Sequence, residues 1–229
     1  MSPGKSGSLG AILAAGGIGE RARDSDRDPP KQFRQLGGRT VIEWPLKALR
    51  GAACNPIVVV LPEPWIGTAE TLMSGPDLIF CAGGATRQDS IHNGLEHIES
   101  DIVVVQDASR PLITAELIRR VADTTSSADA VIAAVPMDET LKQAEDGRVI
   151  KTIDRSTIWK AQTPAAFRTE VLKEAHRRAK EEGFVGTDEA QLIERYGGSV
   201  QIVPGSRRNL KITWAEDFEL ADALLKVSE

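Results

Sequence analysis

The stretch Leu9-Gly-Ala-Ile-Leu-Ala-Ala-Gly-Gly-Ile-Gly19 decides the fold class, because an apolar run passes directly into a glycine-rich turn. Residues 9–14 form a nearly continuous apolar run of strand length, which is typical of a strand buried on both faces of a parallel sheet. The small residues that follow let the backbone approach a ligand closely, and their N–H groups can point at phosphate oxygens. The stretch therefore predicts a strand that ends in a phosphate-binding loop.

Similar short apolar runs recur along the chain and alternate with helical patterns. This alternation predicts an α/β domain with a mostly parallel sheet and helices on both of its faces. The predicted strands are 9–14, 57–61, 78–81, 102–106, 130–135 and 200–203. The predicted helices are 40–49, 65–73, 89–98, 114–124, 169–182, 188–196 and 215–227. Pro45 lies inside the first of these helices and predicts that it is short or kinked.

Residues 137–154 differ from the rest of the chain, because polar and apolar residues alternate about a turn at Glu145-Asp-Gly147. This pattern predicts a β-hairpin that projects from the α/β core. Two interpretations stay open, a subunit-contact arm and an ordinary edge hairpin. No internal repeat or low-complexity linker divides the sequence, so residues 1–229 are predicted to form a single domain.

The composition narrows the class of protein. A formal net charge of −5 at pH 7 argues against a general nucleic-acid or anionic-membrane binder. Two cysteines and three histidines are too few for a Cys/His zinc site to be expected. No apolar run approaches the roughly 18 to 20 residues of a membrane helix, and the first residues are polar. We therefore expect a cytoplasmic protein with no membrane or nucleic-acid partner.

Three interpretations of the glycine-rich loop compete. A dinucleotide fingerprint fits the letters of Gly17-x-Gly19-x-x-Ala22, but residues 23–30 show no helical apolar stripe and end in two prolines. A Walker-type loop fits only the letters Gly4-Lys5-Ser6, which no predicted strand precedes. The third interpretation is a nucleoside triphosphate loop that two basic residues downstream, Arg21 and Lys31, close over the phosphates.

Several short motifs follow one another across nearly the whole chain. They are Ala14-Ala15-Gly16…Gly19-x-Arg21…Pro30-Lys31-Gln32, Gly83-Gly84-x-x-Arg87-x-x-Ser90-x-x-Asn93-Gly94-Leu95, Gln106-Asp107-Ala108-Ser109-Arg110-Pro111, Glu139-Thr140-x-Lys142, Asp154-Arg155-x-x-x-Trp159-x-x-Gln162-Thr163-Pro164, Thr187-Asp188-Glu189-Ala190 and Asn209-Leu210-Lys211-Ile212-Thr213. In this order they resemble the motifs of the 2-C-methyl-D-erythritol 4-phosphate cytidylyltransferases of the non-mevalonate isoprenoid pathway.

The resemblance implies a Rossmann-like three-layer nucleotidyltransferase fold and transfer of a cytidylyl group from CTP to a polyol phosphate, with Mg²⁺ as cofactor. It also implies a homodimer joined through the arm at 137–154. The nucleophile in this reaction is a phosphate oxygen that is already anionic, so no general base is required. The difficulty is the repulsion between two phosphate groups, which clustered cations relieve.

The resemblance also assigns roles to individual residues. Arg21 and Lys31 would bind the triphosphate, and Arg155 and Lys211 would hold the acceptor phosphate for attack. The implied nucleotide-binding residues are Ala14, Ala15, Gly16, Gly17, Gly19, Gly84, Arg87, Ser90, Asp107 and Ala108. The implied acceptor-binding residues are Arg110, Thr140, Thr163 and Thr187. Asp107 would lie near the ribose or the Mg²⁺, most of whose ligands would be substrate phosphates and water.

Two alternatives concern the acceptor and the activity. The loop Gly16-Gly-Ile-Gly19, with its longer run to Lys31, also resembles ribitol 5-phosphate cytidylyltransferases, whereas Asp154-Arg155…Trp159 and Thr187-Asp-Glu-Ala favour the methylerythritol enzyme. A non-catalytic nucleotide-binding subunit would be expected to have lost its cations, yet all four are present in this sequence. The hypothesis requires these four cations to converge on one cleft.

Overall fold

A seven-stranded sheet forms the centre of the computed structural model, which describes residues 7–17 and 29–227. Its strands run in the spatial order β11-β7-β10-β6-β1-β4-β5. The eleven strands of the described residues are β1 (Leu9–Ala14), β2 (Gln35–Leu36), β3 (Arg39–Thr40), β4 (Ile57–Leu61), β5 (Leu78–Ala82), β6 (Ile102–Asp107), β7 (Ala130–Pro136), β8 (Leu141–Glu145), β9 (Arg148–Ile153), β10 (Trp159–Arg168) and β11 (Val200–Pro204).

The sheet is parallel except at β10, which pairs antiparallel with both β6 and β7. The apolar pattern does not predict β10, because its polar motif Gln162-Thr163-Pro164 interrupts the apolar run that marks a buried strand. The register of β10 shifts between Gln162 and Ala165, which accommodates the interruption. Within the parallel part, Ala14 on β1 is the register partner of Asp107 on β6. The ends of these two strands therefore lie side by side.

Helices cover both faces of the sheet, which confirms the predicted three-layer α/β architecture. On one face, Ile91, Leu95 and Leu172 pack on Ile12 and Phe167 of the sheet. On the other face, α1 and α4 pack on the opposite sides of the same strands. The α-helices of the described residues are α1 (Glu43–Gly51), α2 (Ile66–Leu72), α3 (Arg87–Leu95), α4 (Ala115–Thr124), α5 (Thr169–Glu182), α6 (Glu189–Arg195) and α7 (Glu216–Lys226). None of them is long and apolar enough to span a membrane.

The first helix begins later than the prediction of 40–49, because Thr40 belongs to β3. The backbone N–H and the hydroxyl of Thr40 both donate to the Glu43 carboxylate at 2.7 Å. Pro45 falls within the first turn of α1, where its missing N–H leaves no intrahelical hydrogen bond unmade. The helix therefore continues past this proline to Gly51.

The predicted hairpin is present as β8 and β9, which pair antiparallel with each other and lie outside the central sheet. Asp146 and Gly147 have φ angles of 47° and 76°, the left-handed values that a two-residue hairpin turn requires. Val149 and Ile150 of β9 are exposed. The hairpin is thus not an edge of the central sheet.

A small third cluster joins two distant parts of the chain beside the sheet. Leu36 and Val41 from the first part pack on Ile212 and Ala221 from the second, and Phe218 covers them. The cluster brings the segments that carry Lys31 and Lys211 against each other.

Candidate active site

A cavity of about 360 Å³ opens beyond the carboxyl ends of β1 and β6, where open α/β sheets usually bind their ligands. It lies between the glycine-rich loop after β1 and the loop that precedes α3. Its lining residues are Ala14, Ala15, Gly16, Gly17, Lys31, Gln32, Gly84, Ala85, Thr86, Arg87, Ser90, Asp107, Ala108, Ser109 and Lys211. We refer to it as the first cavity.

Gln32 anchors the first residues of the glycine-rich loop by hydrogen bonds. Its side-chain amide is buried and donates to the carbonyl oxygens of Ala15 at 2.7 Å and Gly17 at 3.1 Å. Because a buried amide left without partners would be costly, these hydrogen bonds fix the path of the loop. Gln32 belongs to one of the sequence motifs, but its motif assigns it no role, because its hydrogen-bond partners depend on the fold.

The opposite wall of the first cavity is the amino-terminal turn of α3. Thr86 and Asp89 form a reciprocal capping box, and the Ser90 hydroxyl accepts from the Gly84 N–H at 3.1 Å and donates to the Thr86 carbonyl at 2.9 Å. A Cβ atom on Gly84 would lie only 2.3 Å from the Cβ of Asp89. Close backbone packing therefore requires glycine at 84 and leaves main-chain groups at the cavity surface. Asn93 donates to the Ala82 carbonyl, and Gly94 and Leu95 pack α3 against the sheet.

Asp107 lies at the back of the first cavity among three cations. Its carboxylate is 2.8 Å from the Lys211 ammonium group and 3.6 Å from the guanidinium groups of Arg87 and Arg110. Burial raises the pKa of Asp107, but Lys211, Arg87 and Arg110 outweigh burial and lower the pKa to about 2. The carboxylate is therefore ionised at neutral pH and anchors the three cations.

A second cavity of about 170 Å³ lies on the other side of Asp107. Its lining residues are Arg87, Asp107, Arg110, Ile132, Ala161, Gln162, Thr163, Ala165, Phe167, Thr187, Asp188, Glu189, Ala190 and Lys211. Three of them, Arg87, Asp107 and Lys211, also line the first cavity. The two cavities thus meet at one carboxylate and two cations.

Asn209 organises the floor of the second cavity. Its backbone carbonyl accepts from Arg110 at 2.7 Å, and its side-chain amide donates to the Thr163 carbonyl at 2.8 Å. The Thr163 hydroxyl in turn accepts from the Asp107 N–H at 3.1 Å. Asn209 is buried, so these hydrogen bonds hold Arg110 and Thr163 in place. Asn209 belongs to the motif that contains Lys211, and the motif by itself assigns Asn209 no role.

Arg87 makes its shortest contact with Glu189 of α6, at 2.5 Å. Glu189 is buried, and burial raises its pKa even though Arg87 lies against it. Glu189 belongs to the motif Thr187-Asp188-Glu189-Ala190, which assigns it no role. Its partner lies on a different wall of the site, and sequence spacing does not reveal that contact.

The structure brings together some of the predicted site residues and not others. Lys31 and Lys211 both line the first cavity, and most of the predicted nucleotide-binding and acceptor-binding residues line one cavity or the other. Arg21 and Gly19 lie outside the described residues.

The structure does not bring Arg155 and Thr140 to these cavities within a single chain, so their role at the acceptor stays a prediction. Neither residue lines either cavity, and both are exposed. Arg155 follows β9 at the base of the hairpin, where its guanidinium group donates to the Asp138 carbonyl. The hairpin departs from the sheet and keeps both residues away from the cavities of their own chain.

The described residues do not fit a protein-held magnesium site. Asp107 is the one carboxylate among the described residues of the first cavity, and Lys211, Arg87 and Arg110 already surround it. No group of three or more metal-binding side chains occurs in the part of the chain that the structure describes. A direct role of Asp107 as a magnesium ligand is therefore not supported by its surroundings.

Comparisons with known proteins agree with the motifs. The model of the family "IspD: 2-C-methyl-D-erythritol 4-phosphate cytidylyltransferase" matches residues 9–227. A 2-C-methyl-D-erythritol 4-phosphate cytidylyltransferase of Aquifex aeolicus (strain VF5) is 42% identical over 219 residues, which cover 96% of this chain and 98% of the relative. One of Syntrophus aciditrophicus (strain SB) is 38% identical over 228 residues, covering 96% of each chain.

Solved structures give the same result. The crystal structure of the 2-C-methyl-D-erythritol 4-phosphate cytidylyltransferase from Thermus thermophilus superposes with a TM-score of 0.80 at 32% identity, covering 96% of this chain and 99% of the other. The 4-diphosphocytidyl-2C-methyl-D-erythritol synthase from Anaerococcus prevotii DSM 20548 superposes with a TM-score of 0.85 at 26% identity, covering 97% and 100%.

Proposed function

The chain belongs to the family of 2-C-methyl-D-erythritol 4-phosphate cytidylyltransferases, and we propose that its two cavities hold the two substrates of that reaction. The enzyme transfers the cytidylyl group of CTP to 2-C-methyl-D-erythritol 4-phosphate, giving 4-diphosphocytidyl-2-C-methyl-D-erythritol and pyrophosphate. The relatives named above are methylerythritol phosphate enzymes, which favours this acceptor over ribitol 5-phosphate. The observation that carries the proposal is the junction of both cavities at Arg87, Asp107 and Lys211.

In the reaction, a phosphate oxygen of the acceptor forms a bond to the α-phosphorus of CTP. The bond from this phosphorus to the oxygen that bridges to the β-phosphorus breaks, and its electron pair leaves with pyrophosphate. The attacking oxygen is already an anion, so no side chain has to remove a proton. None of the described residues that line the two cavities is a histidine. The task of the protein is to align two anions and reduce their repulsion.

We assign CTP to the first cavity. Its two walls, the glycine-rich loop and the turn at Gly84–Ser90, present main-chain groups that can hydrogen-bond the cytosine edge at close approach. Lys31 lines the same cavity and would bind the triphosphate and the charge that develops on the leaving group. Arg21 keeps its proposed triphosphate role on the resemblance alone.

We assign the acceptor to the second cavity. Arg110 offers a planar guanidinium group for bidentate phosphate binding, and Thr163 and Thr187 offer hydroxyl groups. Lys211 lines both cavities and would therefore contact phosphate groups of both substrates where the new bond forms.

For Arg155 and Thr140 we propose that a second copy of the chain completes the site. Each residue flanks the β8–β9 hairpin and is exposed, and Val149 and Ile150 on that hairpin are 61% and 54% exposed. Two apolar side chains on a two-stranded hairpin gain from being covered by another surface. A homodimer that exchanges hairpins would bring Arg155 of each subunit to the acceptor cavity of the other.

Mixing two inactive variants tests this arrangement. Lys211→Ala and Arg155→Ala are each expected to be inactive, because each removes one cation from every site. After subunit exchange, a mixed dimer has one site with both substitutions and one with neither, so about a quarter of all sites regain activity. If the mixture stays as inactive as its components while native mass spectrometry shows that mixed dimers have formed, the shared site is refuted.

We propose that Mg²⁺ accompanies CTP on its triphosphate oxygens and water rather than on protein carboxylates. Bound in this way, it would supply part of the charge neutralisation that the triphosphate needs. Activity measured with excess EDTA and then with added Mg²⁺ tests the requirement.

We also propose a cytoplasmic location, because both cysteines are free thiols and CTP is a cytoplasmic nucleotide.

Pyrophosphate release from CTP tests the function as a whole. Purified protein is given CTP with either 2-C-methyl-D-erythritol 4-phosphate or ribitol 5-phosphate. We expect turnover with the first acceptor at a kcat/KM at least tenfold above that with the second. A preference for ribitol 5-phosphate would overturn the acceptor, and absence of turnover with either would leave the non-catalytic subunit as the better description.

A further inference from the structure

Glu189 and Arg87 form an ion pair across the two cavities. Arg87 is the first residue of α3, on the wall of the first cavity, and Glu189 is the first residue of α6, on the wall of the second. The side chain of Glu189 is only 4% exposed, whereas that of Arg87 is 36% exposed. Glu189 therefore offers little side-chain surface to the second cavity, although it is one of the residues that line it, and its carboxylate is in contact with Arg87.

Arg87 has two carboxylate neighbours at different distances. One terminal nitrogen is 2.5 Å from Glu189, and the other is 3.6 Å from Asp107. Asp107 has a closer partner in Lys211, at 2.8 Å. Without the charge of Glu189, Arg87 would be left with Asp107 as its nearest described carboxylate and would compete with Lys211 for it.

We propose that Glu189 is a positioning residue that holds the Arg87 guanidinium group at the junction of the two cavities and keeps it from displacing Lys211. Glu189 thus acts on catalysis through Arg87 rather than by touching either substrate. This inference rests on the proposed function, since it concerns the cations that align the acceptor phosphate with CTP.

The walls that carry the pair are also joined by a second contact. The Gln88 side chain donates to the Phe184 carbonyl at 3.0 Å and accepts from the Gly186 N–H at 2.8 Å. Asp188 caps α6 independently of Arg87, by accepting from the Gln191 N–H at 2.9 Å. Replacing Glu189 by the isosteric glutamine therefore removes one charge while the segment keeps its other attachments.

A purely structural ion pair would behave differently. Buried ion pairs often contribute little net stability, and breaking one lowers stability without a specific kinetic effect. If Glu189 acts through Arg87, the two residues work as one unit. Substituting both should then lower kcat/KM little more than the single substitution that has the larger effect.

A double-mutant cycle on the full-length enzyme tests the proposal with Glu189→Gln, Arg87→Gln and the double variant. We expect Glu189→Gln to lower kcat/KM for 2-C-methyl-D-erythritol 4-phosphate, at saturating CTP, by about 10- to 100-fold. In the Arg87→Gln background, Glu189→Gln should lower it by less than about threefold. Glu174→Gln is the matched control, because it removes a carboxylate from an exposed Arg177 pair of 2.6 Å and should stay within about twofold of the wild type.

Two results would overturn the proposal. One is a Glu189→Gln enzyme with kinetic constants within about twofold of the wild type, whatever its stability. The other is a double variant whose reduction in kcat/KM equals the product of the reductions in the two single variants. If Glu189→Gln does not fold, Glu189→Asp retracts the carboxylate by one methylene group and carries the same test. Failure of the proposed function is distinguishable, because the wild-type enzyme would then release no pyrophosphate.

Discussion

The ammonium nitrogen of Lys31 lies 2.7 Å from the carbonyl oxygen of Ile212, the residue that follows Lys211. The segments that carry two proposed phosphate-binding cations, Lys31 and Lys211, therefore lie against each other. Their segments meet in the cluster of Leu36, Val41, Ile212 and Ala221. None of these four residues lines either cavity, yet their packing positions both lysines at the first cavity.

Lys31→Ala is expected to lower kcat/KM by roughly 30- to 1,000-fold, because it removes a cation from the place where charge develops on the leaving group. The protein should remain folded, since Lys31 is only partly buried. Steady-state pyrophosphate release and circular dichroism provide the measurements. Lys47→Ala, on the exposed surface of α1, is the matched control and should leave the rate unchanged. Near-full activity of Lys31→Ala would remove the triphosphate assignment of the first cavity.

Asp107→Asn is expected to destabilise the fold by about 2 to 3 kcal/mol at neutral pH, because three neighbouring cations lose their shared counter-charge. The folded-state pKa of about 2 lies below the ordinary value of 3.8, so the carboxylate stabilises the fold above pH 3.8. That contribution is lost as the pH falls through 2. Urea unfolding of both proteins at several pH values measures the difference. Asp222→Asn, which breaks the more exposed pair with Lys226, should change stability far less. If the difference in free energy of unfolding between the native protein and Asp107→Asn grows as the pH falls towards 2, the expectation is contradicted.

Gly84→Ala is expected to weaken CTP binding at least tenfold, because the new Cβ would lie 2.3 Å from the Cβ of Asp89 and must displace the turn before α3. Isothermal titration calorimetry with CTP measures the effect. Gly67→Ala is the control, since a Cβ at that helical position meets no atom within 4 Å. It should bind CTP normally and gain up to about 1 kcal/mol of stability from helix propensity. Equal affinities for the two variants would show that the turn does not form the nucleotide site.

His176 is expected to make the enzyme sensitive to mild acid. Its ring is buried on α5, stacks on His92 with centroids 5.9 Å apart, and has an Nε2 atom without a partner. Burial, His92 and Arg87 lower the pKa of His176 to about 4, while Asp89 acts weakly in the opposite direction. The unfolded chain therefore binds the proton first, and stability is lost as the pH falls from 6.5 to 4, by up to about 3 kcal/mol.

Urea unfolding between pH 7 and pH 4 measures this loss, and His176→Leu should flatten the pH dependence in that window. His97→Gln, at an exposed position, should leave the dependence as in the wild type. If His176→Leu unfolds with the same pH dependence as the native sequence, another group is responsible.

Much of the fold could be predicted because its signals are local. The apolar run Leu9–Ala14 predicts a strand in the interior of the sheet, and the structure buries its central residues. The same holds for the β8–β9 hairpin, whose Asp146-Gly147 turn determines its conformation. The motifs likewise identified Lys31 and Lys211, both of which line the first cavity.

Only the tertiary structure decided which of these groups meet. The antiparallel β10, the Glu189 partner of Arg87 and the three cations around Asp107 depend on strand order and on contacts between distant segments. The sequence by itself determined the α/β class, the loop and the charged residues available, since these follow from local apolar period and turn chemistry. Only the folded chain shows that Arg155 lies away from the cavities of its own chain. Whether distant side chains meet depends on how helices and strands pack together, and their spacing along the sequence does not determine it.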